Sequence, residues 1–169
     1  MSDGSSQELA RSTLDRIGDR WQAGWGGGGR DEFALCCTVD VRYEDPLTDG
    51  LLEGVDALDQ HVTRLRRALP DLRVETSGSR ISEGSFGCLP WKIAGTQRGE
   101  LGEIPATNKF LTLHGIHYVE MRDDLICRVR GFYDVYDAAT QLGLLPTRGG
   151  MGETALLMLR GFGLRRRPT

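Results

Sequence analysis

The stretch from Pro105 to Pro146, PATNKFLTLHGIHYVEMRDDLICRVRGFYDVYDAATQLGLLP, constrains this chain more than any other. From Phe110 to Met121 both alternating sets are largely apolar. Leu111, Leu113, Gly115, His117, Val119 and Met121 form one set; Phe110, Thr112, His114, Ile116 and Tyr118 form the other. Such a run suits a strand covered on both faces. Arg122-Asp123-Asp124 breaks it, and a second strand-like run follows from Leu125 to Tyr133. Two strands joined by a tight polar turn make an antiparallel hairpin. This hairpin carries His114 and His117, then Arg128-x-Arg130, with Asp134 at its exit. It is expected to form one wall of any chemical centre the chain possesses.

The segments before the hairpin alternate between helix and strand signals. Leu14, Ile17, Trp21 and Trp25 step by three or four and predict a helix from Glu8. Gly26-Gly27-Gly28-Gly29 should end it. This tetrad is not a phosphate loop, because it lacks GK[ST] and follows a helix, not a strand. Arg30–Cys37 reads as a short helix capped by Asp31, and Val39–Tyr43 as a strand closed by Glu44-Asp45-Pro46. Pro46 pushes Asp45 into an extended conformation. Val55, Leu58, Val62, Leu65 and Leu69 mark the clearest helix, ended by Pro70, with Arg64, Arg66 and Arg67 on a solvated face. Leu72–Ser82 and Phe86–Thr96 read as two long strands around Glu83-Gly84-Ser85. Gln97–Asn108 is a loop long enough to act as a flap.

This order predicts an α+β fold. A curved antiparallel sheet is expected, with three helices of the N-terminal half packed on its concave side. Residues 1–7 are expected to be disordered, 8–146 to form the domain, and 147–169 to be a tail. In that tail Glu153–Leu159 forms a short helix that docks on the mouth of the sheet or a partner subunit, and Arg165–Thr169 stay mobile.

The length of 169 residues fits one domain with a real core. A net charge of −3 gives no global attraction to nucleic acid or an anionic membrane. No apolar run is long enough to span a bilayer, and the polar, acidic N-terminus lacks a signal pattern. A cytoplasmic protein is expected. Cys36, Cys37, Cys88 and Cys127 show no CxxC or Cys/His ligand spacing and read as free thiols. The histidines assemble no zinc set, so no metal is expected. Because both faces of Phe110–Met121 are apolar and one faces the interior, a second copy should cover the other as a homodimer.

Three pieces of the chain resemble one superfamily. Val41-Arg-Tyr-Glu-Asp-Pro46, followed by Glu53-Gly54 and an amphipathic helix, is similar to the corresponding segment of ketosteroid isomerases. The strand–Asp-Asp–strand hairpin is the second piece. Phe132-Tyr-Asp134, followed by Gln141-Leu-Gly-Leu-Leu-Pro146, resembles the ending of SnoaL-like polyketide cyclases. Over roughly Glu8–Pro146 the chain looks like the nuclear-transport-factor-like cone barrels that include both groups. The resemblance implies that Asp45 falls at a general-base aspartate and His117 at an oxyanion donor. Trp21 falls at an oxyanion-hole tyrosine, which is a departure, because an indole N–H donates but is no acid. Asp134 resembles the acid/base aspartate of the cyclases.

Each candidate has a plain structural reading beside the functional one. Asp45 is a turn residue or a base whose pKa burial raises. His117 is a satisfied core histidine or an oxyanion donor. Asp134 caps the final helix, pairs with Arg128 or Arg130, or, turned inward by a bulge at Gly131, is a catalytic acid/base. Trp21, Tyr43, Trp91, Phe110 and Arg130 are the expected substrate-binding residues. His61 and His114 are weighed and left outside the set. The resemblance implies a cofactor-free enzyme of secondary metabolism acting on an apolar oxygenated small molecule, polyketide- or terpenoid-like. Its chemistry would be enolisation followed by cyclisation or isomerisation. The alternatives are epoxide opening by Asp45, Arg130 and Asp134 around a water, and a non-catalytic binding or scaffold protein.

Overall fold

The structure is a computed structural model that describes the backbone of residues 3–159 and the side chains of residues 13–155. The hairpin forms as expected, from β6 (Phe110–Arg122) and β7 (Leu125–Tyr133). Asp123 and Asp124 turn it with φ of 53° and 58°. Positive φ at both central residues is what a two-residue hairpin turn of matching twist requires, and aspartate tolerates it.

A bulge does occur in the hairpin, but not at Gly131. Glu120 pairs with Arg128 and Met121 with Ile126, so Cys127 is the extra residue. That is why Ile126 and Val129, three apart, both point into the core. Gly131 stays in register opposite His117, and Tyr133 opposite Gly115. Alternation then continues unbroken, placing Gly131 and Tyr133 inward and Phe132 outward.

The sheet has seven strands in the order β2-β1-β7-β6-β5-β3, with β4 also on β5. It is curved and does not close. β1 (Cys37–Glu44) runs parallel to β7, so the expected antiparallel sheet is mixed at this one pair. β2 (Leu52–Glu53) is a short edge. The expected strand over Leu72–Ser82 is two, β3 (Arg73–Thr76) and β4 (Ile81–Glu83), both paired with β5 (Phe86–Thr96). The break lies opposite Pro90. Ser77 N–H donates to the Pro90 carbonyl at 3.2 Å, and the N–H on that same edge is the one proline lacks.

The helices pack on the concave side. α1 (Asp3–Ala23) starts ahead of the expected Glu8. Its helical path ends inside the glycine tetrad as expected, broken at Gly27 (φ 123°). α2 (Gly29–Cys36) then folds back against it, with no side-chain cap from Asp31. α3 (Val55–Ala68) buries Leu58, His61 and Val62. Its Arg66 is not simply solvated: Nη1 donates to the Trp25 carbonyl, just before the kink at Gly27, at 3.0 Å. Leu14, Ile17 and Trp21 of α1 meet Leu58 and Val62 of α3 and Val119 and Val129 of the hairpin in one core.

After the hairpin come α4 (Val135–Gln141) and α5 (Met151–Leu159), the latter two residues longer at its start than the spacing gives. The expectation that Arg165–Thr169 are mobile lies outside the described residues. Among the described residues no helix is long and apolar enough to cross a membrane.

Candidate active site

β1 ends at Glu44, and the chain turns at Asp45-Pro46, closed by Thr48 N–H donating to the Asp45 carbonyl at 3.1 Å. The turn directs the Asp45 side chain inward, where it is 3% exposed. Its Oδ2 accepts from the Tyr43 hydroxyl at 2.7 Å and from His61 Nε2 at 3.1 Å; Oδ1 accepts from Leu47 N–H at 2.7 Å. Burial works to raise the Asp45 pKa, but the His61 contact and the Tyr43 and Leu47 bonds together hold it below the usual carboxylate value. The expected upward shift is therefore corrected: three donors outweigh desolvation and favour the ionised carboxylate.

His117 reaches the site by alternation along β6. Its Nδ1 accepts from the Trp21 indole N–H at 3.0 Å. Because Nδ1 offers a lone pair, the ring proton sits on Nε2. Burial pulls its pKa down to about 3, against the opposing pull of the Asp45 charge. The ring is a neutral imidazole, stacked on Trp25 at 5.3 Å and set edge-on to Trp21 at 5.3 Å. Gly131 lets these groups meet. A Cβ there would lie 2.9 Å from Asp45 Cβ, 3.3 Å from the Tyr43 oxygen and 3.4 Å from His117 Cδ2.

These groups open on a hollow of about 1100 Å³, its open mouth included, lined among others by Trp21, Trp25, Tyr43, Asp45, Trp91 and His117. Leu101 and Ile104, from the expected flap, close one side. The flap is anchored by fully buried Gln97, whose amide bonds Gly99, Pro105 and Thr107. Trp25 and Trp91 leave buried indole N–H groups without a partner among the described residues. The hollow is short of acceptors, which suits an apolar ligand bearing oxygens.

Three expected residues are not brought here. Asp134 caps α4, its Oδ1 accepting from Asp137 N–H at 2.9 Å, and pairs with Arg148 at 3.0 Å. The Asp137 bond and Arg148 hold its pKa low on an exposed surface. The inward turn expected of it needed a bulge at Gly131, and the bulge is at Cys127. Arg130 points outward and pairs with Glu44. Phe110 is exposed on the outer sheet face. The Asp45–Arg130–Asp134 arrangement for epoxide opening is thus not assembled. His61 is the residue that sequence reasoning left out. Its place within the apolar stripe of α3, between Leu58 and Leu65, marks it as buried but not as functional.

Residues 15–142 match the SnoaL-like polyketide cyclase family. The chain belongs to this family. The match spans every residue of the site, from Trp21 to His117. Among curated proteins none matches the chain. Among solved structures, TsrD from Streptomyces laurentii superposes with a TM-score of 0.71 at 19% identity, covering 80% of this chain and 98% of its own. A protein of ketosteroid isomerase-like fold from Catenulispora acidiphila DSM 44928, in complex with trimethylamine, gives 0.63 at 15%, covering 75% and 92%. TerC, co-crystallised with polyporic acid, gives 0.63 at 14%, covering 78% and 98%. At these identities the likenesses show the fold of the family. The family is described as one of polyketide cyclases, and the fold carries many reactions, so the chemistry must be argued from the site.

Proposed function

We propose that this family member is an acid/base enzyme that enolises an apolar, oxygenated carbonyl compound, polyketide- or terpenoid-like, and then closes a ring or moves a double bond. One observation carries the reading: an ionised carboxylate, Asp45, and a neutral imidazole, His117, meet beside Gly131 on the wall of an apolar hollow. Asp45 takes a proton from the carbon next to the carbonyl. The C–H electron pair becomes the new C–C π bond, and the carbonyl π pair moves to oxygen. His117 Nε2–H donates to that oxygen, the kind of electrostatic support that is often the largest catalytic contribution. A neutral imidazole suits this role, because it donates without protonating the enolate outright. The enolate carbon then attacks a second carbonyl, whose π pair moves to its oxygen and takes the proton back from Asp45, or Asp45 returns the proton at another carbon. Side chains alone carry these proton transfers, so the reading needs no cofactor. His61 and Tyr43 position Asp45, and Trp21 fixes the tautomer of His117.

The test uses 1-tetralone, whose hydrogens next to the carbonyl exchange in heavy water. The wild-type chain should accelerate this exchange over buffer, and Asp45→Asn should lose the acceleration. No acceleration with any carbonyl compound that binds would leave the hollow a binding site.

The assembly is proposed to be a homodimer through the outer sheet face, where Phe86, Phe110, Ile116 and Phe132 are exposed together. A sedimentation mass of twice 18.7 kDa is expected, and a monomer mass at micromolar concentration contradicts it. Four unbridged cysteines fit the reducing cytoplasm.

A further inference from the structure

Trp21 cannot donate to a substrate, because its single N–H goes to His117. The enolate oxygen in the reading above is thereby left with one assigned donor. A second stands one step along the same face of the hairpin. His117 pairs with Gly131 and Gly115 with Tyr133, so His117 and Tyr133 are diagonal neighbours on the inward face. Such neighbours lie about 7–8 Å apart, within reach of an imidazole and a phenol.

The two glycines bring the remaining groups in. A Cβ on Gly115 would collide with the ring of Trp91, and one on Gly131 with Asp45. Trp91 in turn lies edge-on to Tyr133 at 5.8 Å and against His117 at 5.4 Å. Tyr133 lines the hollow together with Asp45 and His117. Its hydroxyl oxygen is buried and has no hydrogen-bond partner among the described residues. A buried hydroxyl left without a partner is destabilising, and an anionic oxygen arriving at His117 would satisfy it. Burial, reinforced by the Asp45 charge, pushes the Tyr133 pKa up, so the group keeps its proton and can donate.

We propose that Tyr133 is a further catalytic residue, its O–H donating to the same developing oxyanion as His117 Nε2–H. The inference rests on the enolisation reading.

The probe is 4-nitrophenol near neutral pH, where part of it has already lost its O–H proton to the buffer; the phenolate oxygen mimics that of the enolate, and its visible absorbance reports the anionic form when bound. 4-Nitrotoluene, of the same shape but without the oxygen, is the control. In the full chain, Tyr133→Phe should weaken 4-nitrophenol binding roughly ten- to a hundredfold. Binding of 4-nitrotoluene should not change, and the melting temperature should hold or rise, because an unmet hydroxyl is removed. If Tyr133→Phe binds 4-nitrophenol as wild type while His117→Ala does not, the Tyr133 assignment falls alone. If both variants bind it undiminished, the enolisation reading falls with it. Should Tyr133→Phe fail to fold, isotope-labelled tyrosine in the wild-type chain decides. A Tyr133 ring resonance that moves with 4-nitrophenol and not with 4-nitrotoluene supports the contact; an equal response to both overturns it.

Discussion

Trp21 and His117, 96 residues apart, are joined by one buried hydrogen bond of 3.0 Å from indole Nε1 to imidazole Nδ1. That bond fixes which nitrogen of His117 faces the hollow with a proton. The position that the resemblance equates with a substrate-facing tyrosine is here a residue that acts through another.

Trp21→Phe removes the donor and also vacates part of the space that the indole fills among Trp25, Phe33 and Tyr43, so melting temperatures are measured alongside. His117 Nδ1 is left unpaired, at a cost of about 1–3 kcal/mol. The Nε2–H tautomer is then no longer enforced, and tetralone exchange should fall roughly tenfold or more. Nitrogen NMR of His117 should show mixed tautomers, where the wild type shows Nε2–H alone. A single unchanged tautomer in the variant would remove Trp21 from the account.

The pH dependence of stability follows from His117. Its folded pKa, about 3, lies below the ordinary 6.5. Between these values the unfolded chain binds the extra proton, so stability rises with pH across the window. The contribution is full above about pH 6.5 and is lost progressively as pH falls toward 3, amounting to a few kcal/mol on the order of the linkage relation. Melting curves of His117→Leu should be flatter over the same window than those of wild type.

His61→Leu should act through Asp45. Losing one of three donors lets the Asp45 pKa rise. The carboxylate must be ionised to accept a proton, so the acidic limb of the exchange profile should move to higher pH. The stability that Asp45 contributes is present above the unfolded carboxylate pKa, about 3.9, and lost as pH falls through its folded value. It should shrink in this variant. An acidic limb that does not move would show that His61 only fills space.

Gly131→Ala tests how tightly the site is assembled. The new methyl would sit 2.9 Å from Asp45 Cβ, a short side chain held by three bonds. Asp45 must shift, and overpacking of this kind costs about 1–3 kcal/mol. Exchange should fall by more than the loss of stability alone explains. Retained exchange would mean that the base is not at this point.

Much of this arrangement was legible in the sequence because short-range rules decide it. The Asp123-Asp124 turn fixed the hairpin, and the period of Val55–Leu69 fixed α3. Asp45 was legible as a strand end before proline, and His117 as a member of an apolar alternating set. What was not legible depends on partners distant along the chain. The gap between β3 and β4 is caused by Pro90 in the neighbouring strand. The bulge at Cys127 depends on how β6 and β7 pair, and moving it from Gly131 to Cys127 exchanges the fates of Asp134 and Tyr133. His61 carries no local mark of function, because a histidine in an apolar helical stripe looks the same whether or not a carboxylate faces it. The parallel pairing of β1 with β7 and the Trp21–His117 bond likewise join segments far apart in sequence.

The most direct measurement is the rate of deuterium exchange next to the carbonyl of 1-tetralone for wild type, Asp45→Asn, His117→Ala and Asp134→Asn, with melting temperatures alongside. Loss of the base should lower the rate roughly 100- to 10,000-fold, with a large loss also in His117→Ala. Asp134→Asn should exchange as wild type and melt close to it, because asparagine keeps the α4 cap and only the exposed pair with Arg148 is lost. Wild-type exchange in a folded Asp45→Asn, or loss in Asp134→Asn alone, would contradict the account.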